Sequence, residues 1–164
     1  MAEILKSNVL RDSYPEPAAS GGNDAYPVHA VLEITKALVA NDVCEMFVVP
    51  PGYVVHDLMI GCDDLDTDGS AAIVLAVGKM KGTPGDVTFI NRTTANAIGT
   101  EFISGSNIGQ AGGTARMNLM AGMEIKPQDE PYSVGVQVTT PPATGATSGT
   151  IVVNALLRPA FRGL

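Results

Sequence analysis

Residues 47–78 read FVVPPGYVVHDLMIGCDDLDTDGSAAIVLAVG, and this stretch decides the fold class. Phe47-Val48-Val49 closes one apolar, β-branched run. Pro50-Pro51-Gly52 turns the chain, and Tyr53 to Cys62 forms a second run. Asp63 to Gly69 is an acidic turn, and Ala71 to Val77 is a third run. Such runs, bounded by Pro/Gly and Asp/Gly clusters, are strands: Pro and Gly supply turn dihedrals, and Asp bonds its own backbone. The expectation is a hairpin across Pro50–Gly52, followed by a third strand after the acidic turn.

The same signal recurs on both sides. Val28 to Val39 alternates Val28, Ala30, Leu32 and Ile34 against His29, Val31, Glu33 and Thr35, as a half-buried strand does. Tyr132 to Thr140 alternates Val134, Val136 and Val138 against Gly135, Gln137 and Thr139. Within Tyr53 to Cys62, Val54, His56, Leu58, Ile60 and Cys62 share one parity, which places His56 on the apolar face as a hydrogen-bonded structural residue. Ala115 to Met123 carries five apolar residues on one parity and reads as a strand. Met117, Met120 and Met123 also fall at helical spacing, and in either reading the methionines are core filler. Ser104 to Gly113, rich in glycine, reads as a mobile surface loop. The candidate strands are 28–39, 43–49, 53–62, 71–79, 86–91, 114–123, 132–140 and 150–157. Eight short strands without a long amphipathic helix predict an all-β antiparallel sandwich; an eight-stranded jelly roll is the first expectation, and an immunoglobulin-like or other Greek-key sandwich fits the same pattern.

Composition bounds the function. The chain has 164 residues with 18 Gly and 11 Pro, enough punctuation for frequent turns in one domain. Aromatics are only 5% and Trp is absent, so aliphatic side chains and Met must fill the core. The net charge is −7, and the ten basic residues are scattered, which argues against nucleic acid as a direct partner. The longest apolar run, Ala71 to Val77, is far short of the roughly 20 residues of a membrane helix. Residues 1–10 carry no secretory pattern, so the chain is expected to be soluble and made in a cytosol. Cys44 and Cys62 stand too far apart in the expected hairpin to bridge, and read as two small buried hydrophobes.

Residues 1–27 form an extended arm before a β-sandwich domain at 28–164. Pro15, Pro17 and Pro27 and the linker Ser20 to Asn23 prevent a continuous element there. Ordering about 25 residues costs ~1–2 kcal/mol each. The apolar anchors Ile4, Leu5, Val9, Leu10 and Tyr14 return only ~1.5–3 kcal/mol apiece. The arm is therefore expected to dock on another surface or to stay loose, and these five residues are its candidate contacts.

Chemistry is sparse. Asp64, Asp66, Asp68 and Gly69 match the start of a calcium loop, but the twelfth position from Asp64 is Leu75 and not an acid. A solvated acidic turn is the better reading. No nucleophile elbow, zinc-protease helix or phosphate loop is present, and His29 and His56 have no partners at ligand spacing. The chain reads as a non-enzyme without cofactor or metal.

Several of these segments resemble small structural proteins of tailed bacteriophages, notably head decoration (cement) proteins. The resemblance lies in the strand ending at Val49, the Pro51-Gly52 turn, Tyr53 to Asp57, the Asp64–Gly69 turn, Ile73 to Gly78, and Thr147 to Val153. It implies a virion protein on the capsid exterior, made in the host cytoplasm and often a homotrimer. Such a protein binds the major capsid protein and itself and staples neighbouring shell subunits. It carries over no catalytic residue. A second reading is a receptor- or carbohydrate-binding sandwich of a fibre or tail, with its site on loops 82–86, 104–113 and 141–149.

Overall fold

The computed structural model describes residues 4–7, 25–85 and 98–160. The strands are β1 (Ile4–Lys6), β2 (Tyr26–Ile34), β3 (Val43–Val49), β4 (Tyr53–Cys62), β5 (Val74–Lys79), β6 (Ile103–Ser106), β7 (Gly113–Arg116), β8 (Tyr132–Thr140) and β9 (Gly149–Pro159). One helical turn, α1, covers Met120–Met123. From β2 onward the strands form four nested antiparallel pairs: β2 with β9, β3 with β8, β4 with β7, and β5 with β6. They fold into two facing sheets, β2-β9-β4-β7 and β3-β8-β5-β6, with β1 added parallel to the outer edge of β3. Nested pairs rolled into two four-stranded sheets are a jelly roll.

The turn at Pro50–Gly52 therefore does not make a hairpin. It carries the chain from β3 in one sheet to β4 in the other. Local turn chemistry is the same for either connection, so the pairing was not readable from residues 47–62. Strands 43–49, 53–62 and 132–140 match the expected bounds. The first strand ends at Ile34 instead of Val39. Leu38 then turns into the core, the Asp42 carboxylate accepts the Val39 N–H at 2.9 Å, and Asn41 takes a left-handed φ of 67°. The expected strand 86–91 lies outside the described residues. Ser104 to Gly113 is not a surface loop throughout: it holds most of β6, a 3-10 turn at Ile108–Gln110 and the start of β7.

The core explains two breaks in the sequence alternation. In β3 the residues that enter the main core are Cys44 and Met46 on one parity, then Phe47 and Val49 on the other. A bulge between Glu45 and Phe47 resets the parity, so all four reach the core. In β4 a second bulge, between Val55 and Asp57, does the same for Val55, Leu58 and Ile60. The residue expelled there is His56, which is exposed and not on the apolar face as expected.

Strands β3 and β8 are buried on both faces. Their inner side meets the other sheet, and their outer side is covered by chain leaving β5. Met80 and Ile98 form an isolated bridge and pack with Val43 in a second small apolar cluster. Gly135 makes room for it: a Cβ there would lie 2.7 Å from the Met80 sulfur and 3.0 Å from the Cys44 carbonyl oxygen. The same outer layer buries Glu45, whose carboxylate accepts the Ser133 hydroxyl and the Gly85 N–H.

The methionine stripe divides. Met117 is buried, but Met120 and Met123 are 69% and 61% exposed. The strand stops at Arg116, and α1 is seated by Gly122, where a Cβ would lie 2.7 Å from Phe102. With that glycine pressed inward, Met120 and Met123 face solvent instead of filling the core. Met117→Ala is expected to cost about 2–3 kcal/mol. Met120→Ala should stay within about 0.5 kcal/mol. Urea denaturation followed by circular dichroism checks both.

Candidate functional site

The candidate arm contacts divide between described and undescribed chain. Ile4 and Leu5 lie in β1, whereas Val9, Leu10 and Tyr14 fall outside the described residues. In β1, Ile4 pairs with Val43, Leu5 with Cys44 and Lys6 with Glu45. Leu5 is half-buried and packs against the main core. Ser7 is buried at the end of the strand. Its N–H donates to the Glu45 carbonyl at 3.0 Å, and its hydroxyl donates to the Met46 carbonyl. The arm thus begins by completing the open edge of β3, the position where unpaired backbone groups recruit another strand.

The acidic turn is a structural latch. Asp66 is 1% exposed, and its carboxylate accepts backbone N–H groups from two loops: Ala72 and Ile73 at 2.6 and 3.1 Å, Ala143 and Thr144 both at 2.9 Å. Burial alone would raise the pKa of Asp66, but these backbone donors outweigh it and hold the carboxyl far below the usual range. Its neighbours also serve the backbone. Asp63 accepts the Thr150 N–H at 2.8 Å, Asp64 the Asp66 N–H at 3.0 Å, and Asp68 the Ser70 N–H at 2.8 Å. The expected solvated acidic turn is therefore buried at its centre. Among the described residues, no group of three or more His, Cys, Asp or Glu is placed to hold a metal ion.

The remaining polar candidates are dispersed. His29 Nδ1 lies 2.6 Å from Asn154 Oδ1 on the outer face of the β2-β9-β4-β7 sheet. Nearby, Arg116 grips Asp57 through two hydrogen bonds of 2.9 and 2.5 Å, which hold the Asp57 carboxyl below its ordinary value. Cys44 and Cys62 are free, and only Cys44 is fully buried as expected, Cys62 being partly exposed at the end of β4. Burial pushes their thiols up to about 12 and about 11, with the nearby aspartates adding to it. Such thiols are mostly uncharged at neutral pH and behave as small hydrophobes.

The three loops named for a carbohydrate site do not converge. Loops 107–112 and 141–148 join the acidic turn at one end, where Leu65 N–H donates to the Gly109 carbonyl at 2.8 Å and Asp66 bridges Gly145. Loop 80–85 follows the far end of β5. At that opposite end a cleft of about 570 Å³ is lined by Lys79, Glu101, Gln128 and Tyr132. Lys79 Nζ donates to Gln128 at 3.0 Å and sits 4.9 Å from the Tyr132 ring centre. The phenol of Tyr132 is buried, which pushes its pKa up to about 12, with Glu101 adding to the effect. Sequence alternation gave no sign of this cleft, because its residues come from three separate segments.

No protein-family model matches the sequence, and no curated protein matches it. Solved structures do. The chain is similar to one in the capsid of Ralstonia phage GP4, with 28% identity over 97% of this chain and 99% of that one, at a TM-score of 0.84. It also has the fold of a chain in the capsid asymmetric unit of cyanophage Pam1, with 21% identity over 90% and 93% of the two chains and a TM-score of 0.66.

The Asp66 latch makes a pH-dependent prediction. Asp66→Asn replaces one acceptor oxygen by an amide NH2 donor that faces N–H donors, so the urea midpoint at pH 7 should fall, and further than for Asp64→Asn. A carboxyl whose pKa is lowered by folding stabilises fully above its unfolded pKa of about 4 and loses that contribution as pH falls towards the folded value. The gap between wild type and D66N should therefore be constant from pH 7 to about 5 and narrow below about 4. Urea midpoints measured from pH 7 to 2 read this, and a gap that stays constant down to pH 2 would refute the latch. The resemblance to phage structural proteins read from the sequence holds for the whole fold, which runs end to end with that of a phage capsid chain.

Proposed function

We propose that this chain is a structural protein of a phage virion that decorates the outside of the capsid and stabilises it by bridging neighbouring shell subunits. The observation that carries the reading is the end-to-end similarity to a chain of the Ralstonia phage GP4 capsid at 28% identity. A protein that binds only the assembled shell lowers the free energy of that state alone, and so stabilises it by mass action without chemistry. The architecture suits such a task. One end of the sandwich is cross-tied through Asp66, the opposite end carries the Lys79–Tyr132 cleft, and Met120 and Met123 are exposed. Adaptable exposed methionines favour protein contact.

The reading assigns no catalysis. His56 stands exposed on a bulge, His29 is engaged with Asn154, and the thiols are raised above neutrality. The partners in this proposal are the major capsid protein and further copies of the chain, arranged as a homotrimer. Light scattering gives the copy number directly.

Strand β2 begins at Tyr26, so a deletion of residues 1–24 leaves every strand from β2 onward intact. The truncated protein is expected to unfold cooperatively in urea, yet to fail to co-sediment with phage particles that retain the full chain. Undiminished sedimentation of the truncated protein would remove the arm from the proposal.

A further inference from the structure

We infer that β1 is an exchangeable strand: in an assembly, the β3 edge of one copy is completed by Ile4–Lys6 of a neighbouring copy. The argument starts from the seat. The β3 edge accepts an incoming strand in parallel through backbone pairing, one half-buried side chain at Leu5, and the buried Ser7 with its two hydrogen bonds to Glu45 and Met46 carbonyls. The backbone pairing and the Ser7 hydrogen bonds run to β3, Leu5 packs on the main core, and none of these contacts depends on which copy supplies residues 4–7. Exchange of an identical element keeps all contacts and adds a link between chains.

Chain length supplies the second step. β1 runs parallel to β3, towards Val49, and β2 starts at Tyr26 beside Leu157 near the same end of the sandwich. The two starting points are separated by the sheet spacing and a few residues along a strand, about 10–20 Å. Residues 8–25 can span about 60 Å when extended, several times that distance. A tether so much longer than its path does not restrict β1 to its own body.

Concentration decides between the two seats. Covalent attachment through a connection of this length holds a segment at about millimolar effective concentration. One neighbouring arm confined within its own reach, about 60 Å, presents about 2 mM to the same edge. The two therefore compete on equal terms wherever copies are packed side by side, and several neighbours tip the balance towards exchange. This packing rests on the proposed capsid reading. At micromolar concentration in solution the same arithmetic favours the chain's own strand by about a thousandfold.

The register offers the test, because Leu5 stands beside the native Cys44. In a Leu5→Cys, Cys62→Ser protein, oxidation should give mainly intrachain bonds at about 1 µM, and covalent multimers at about 2 mM and on phage particles. Non-reducing gels and mass spectrometry distinguish the two products. Intrachain bonds alone under all three conditions would overturn the exchange. Interchain bonds at 2 mM with no protein on particles would overturn the capsid reading and leave the exchange standing. Should the buried thiol resist oxidation, a photo-reactive phenylalanine analogue at position 5, in an equal mixture of ¹⁴N and ¹⁵N copies at 2 mM, separates the same two outcomes. Mixed-isotope cross-linked peptides support exchange, and same-isotope peptides alone overturn it.

Discussion

A single buried carboxylate holds the two sheets in register. Two of the chain's crossings between the β2-β9-β4-β7 and β3-β8-β5-β6 sheets run through residues 63–73 and residues 141–148. Asp66 lies in the first crossing and accepts N–H groups from both. Crossing segments cannot satisfy their backbone groups in either ladder, and burying them unpaired would be costly. One acceptor with two oxygens meets that need for four donors. An uncharged acceptor of the same size has one oxygen and could not. The negative charge is tolerated inside because its solvation is replaced by oriented backbone dipoles.

That constraint sets the character of the two ends. Around Asp66, the Leu65–Gly109, Thr67–Thr144 and Asp63–Thr150 hydrogen bonds join three loops into one braced surface. The opposite end has no comparable knot among the described residues. It carries the Lys79–Tyr132 cleft. A sandwich braced at one end can vary its contacts at the other without losing strand register, since the nested pairs are anchored where the crossings are tied.

Much of this was legible in the residues, and the failures have physical causes. Strands 43–49, 53–62 and 132–140 were readable because Pro, Gly and Asp punctuate their ends, and punctuation is local. Pairing is not local. Pro50-Pro51-Gly52 suits a hairpin and a sheet crossing equally well, so the first was expected and the second is found. His56 was misplaced because the bulge beside it shifts parity by one residue, a change that alternation alone does not reveal. Met120 and Met123 were assigned to the core by their spacing, whereas the buried Gly122 between them decides the outcome. For the candidate site, Leu5 was legible as an apolar anchor. The edge that receives it was not, because β3 becomes an edge only when the nine strands are ordered. Asp66 was visible as part of an acidic turn, but its role needed residues 143 and 144, far away in sequence.

The edge of β3 ties these threads together. β3 is buried on both faces, so its side chains are committed to the body, and only its outer backbone edge is left to recruit a strand. Proteins usually blunt such an edge with charge or proline. Here Cys44, Met46, Phe47 and Val49 offer neither, and Glu45 is turned inward to Ser133 and Gly85. Among the described residues it is covered by β1, a strand of three residues. So short a cover gains little from its own length, and its contribution comes from Leu5 and the two Ser7 hydrogen bonds. An edge that must be covered, and a cover small enough to leave, are together the physical ingredients of reversible linkage. A longer pairing and a shorter connection would hold such a strand more firmly to its own body.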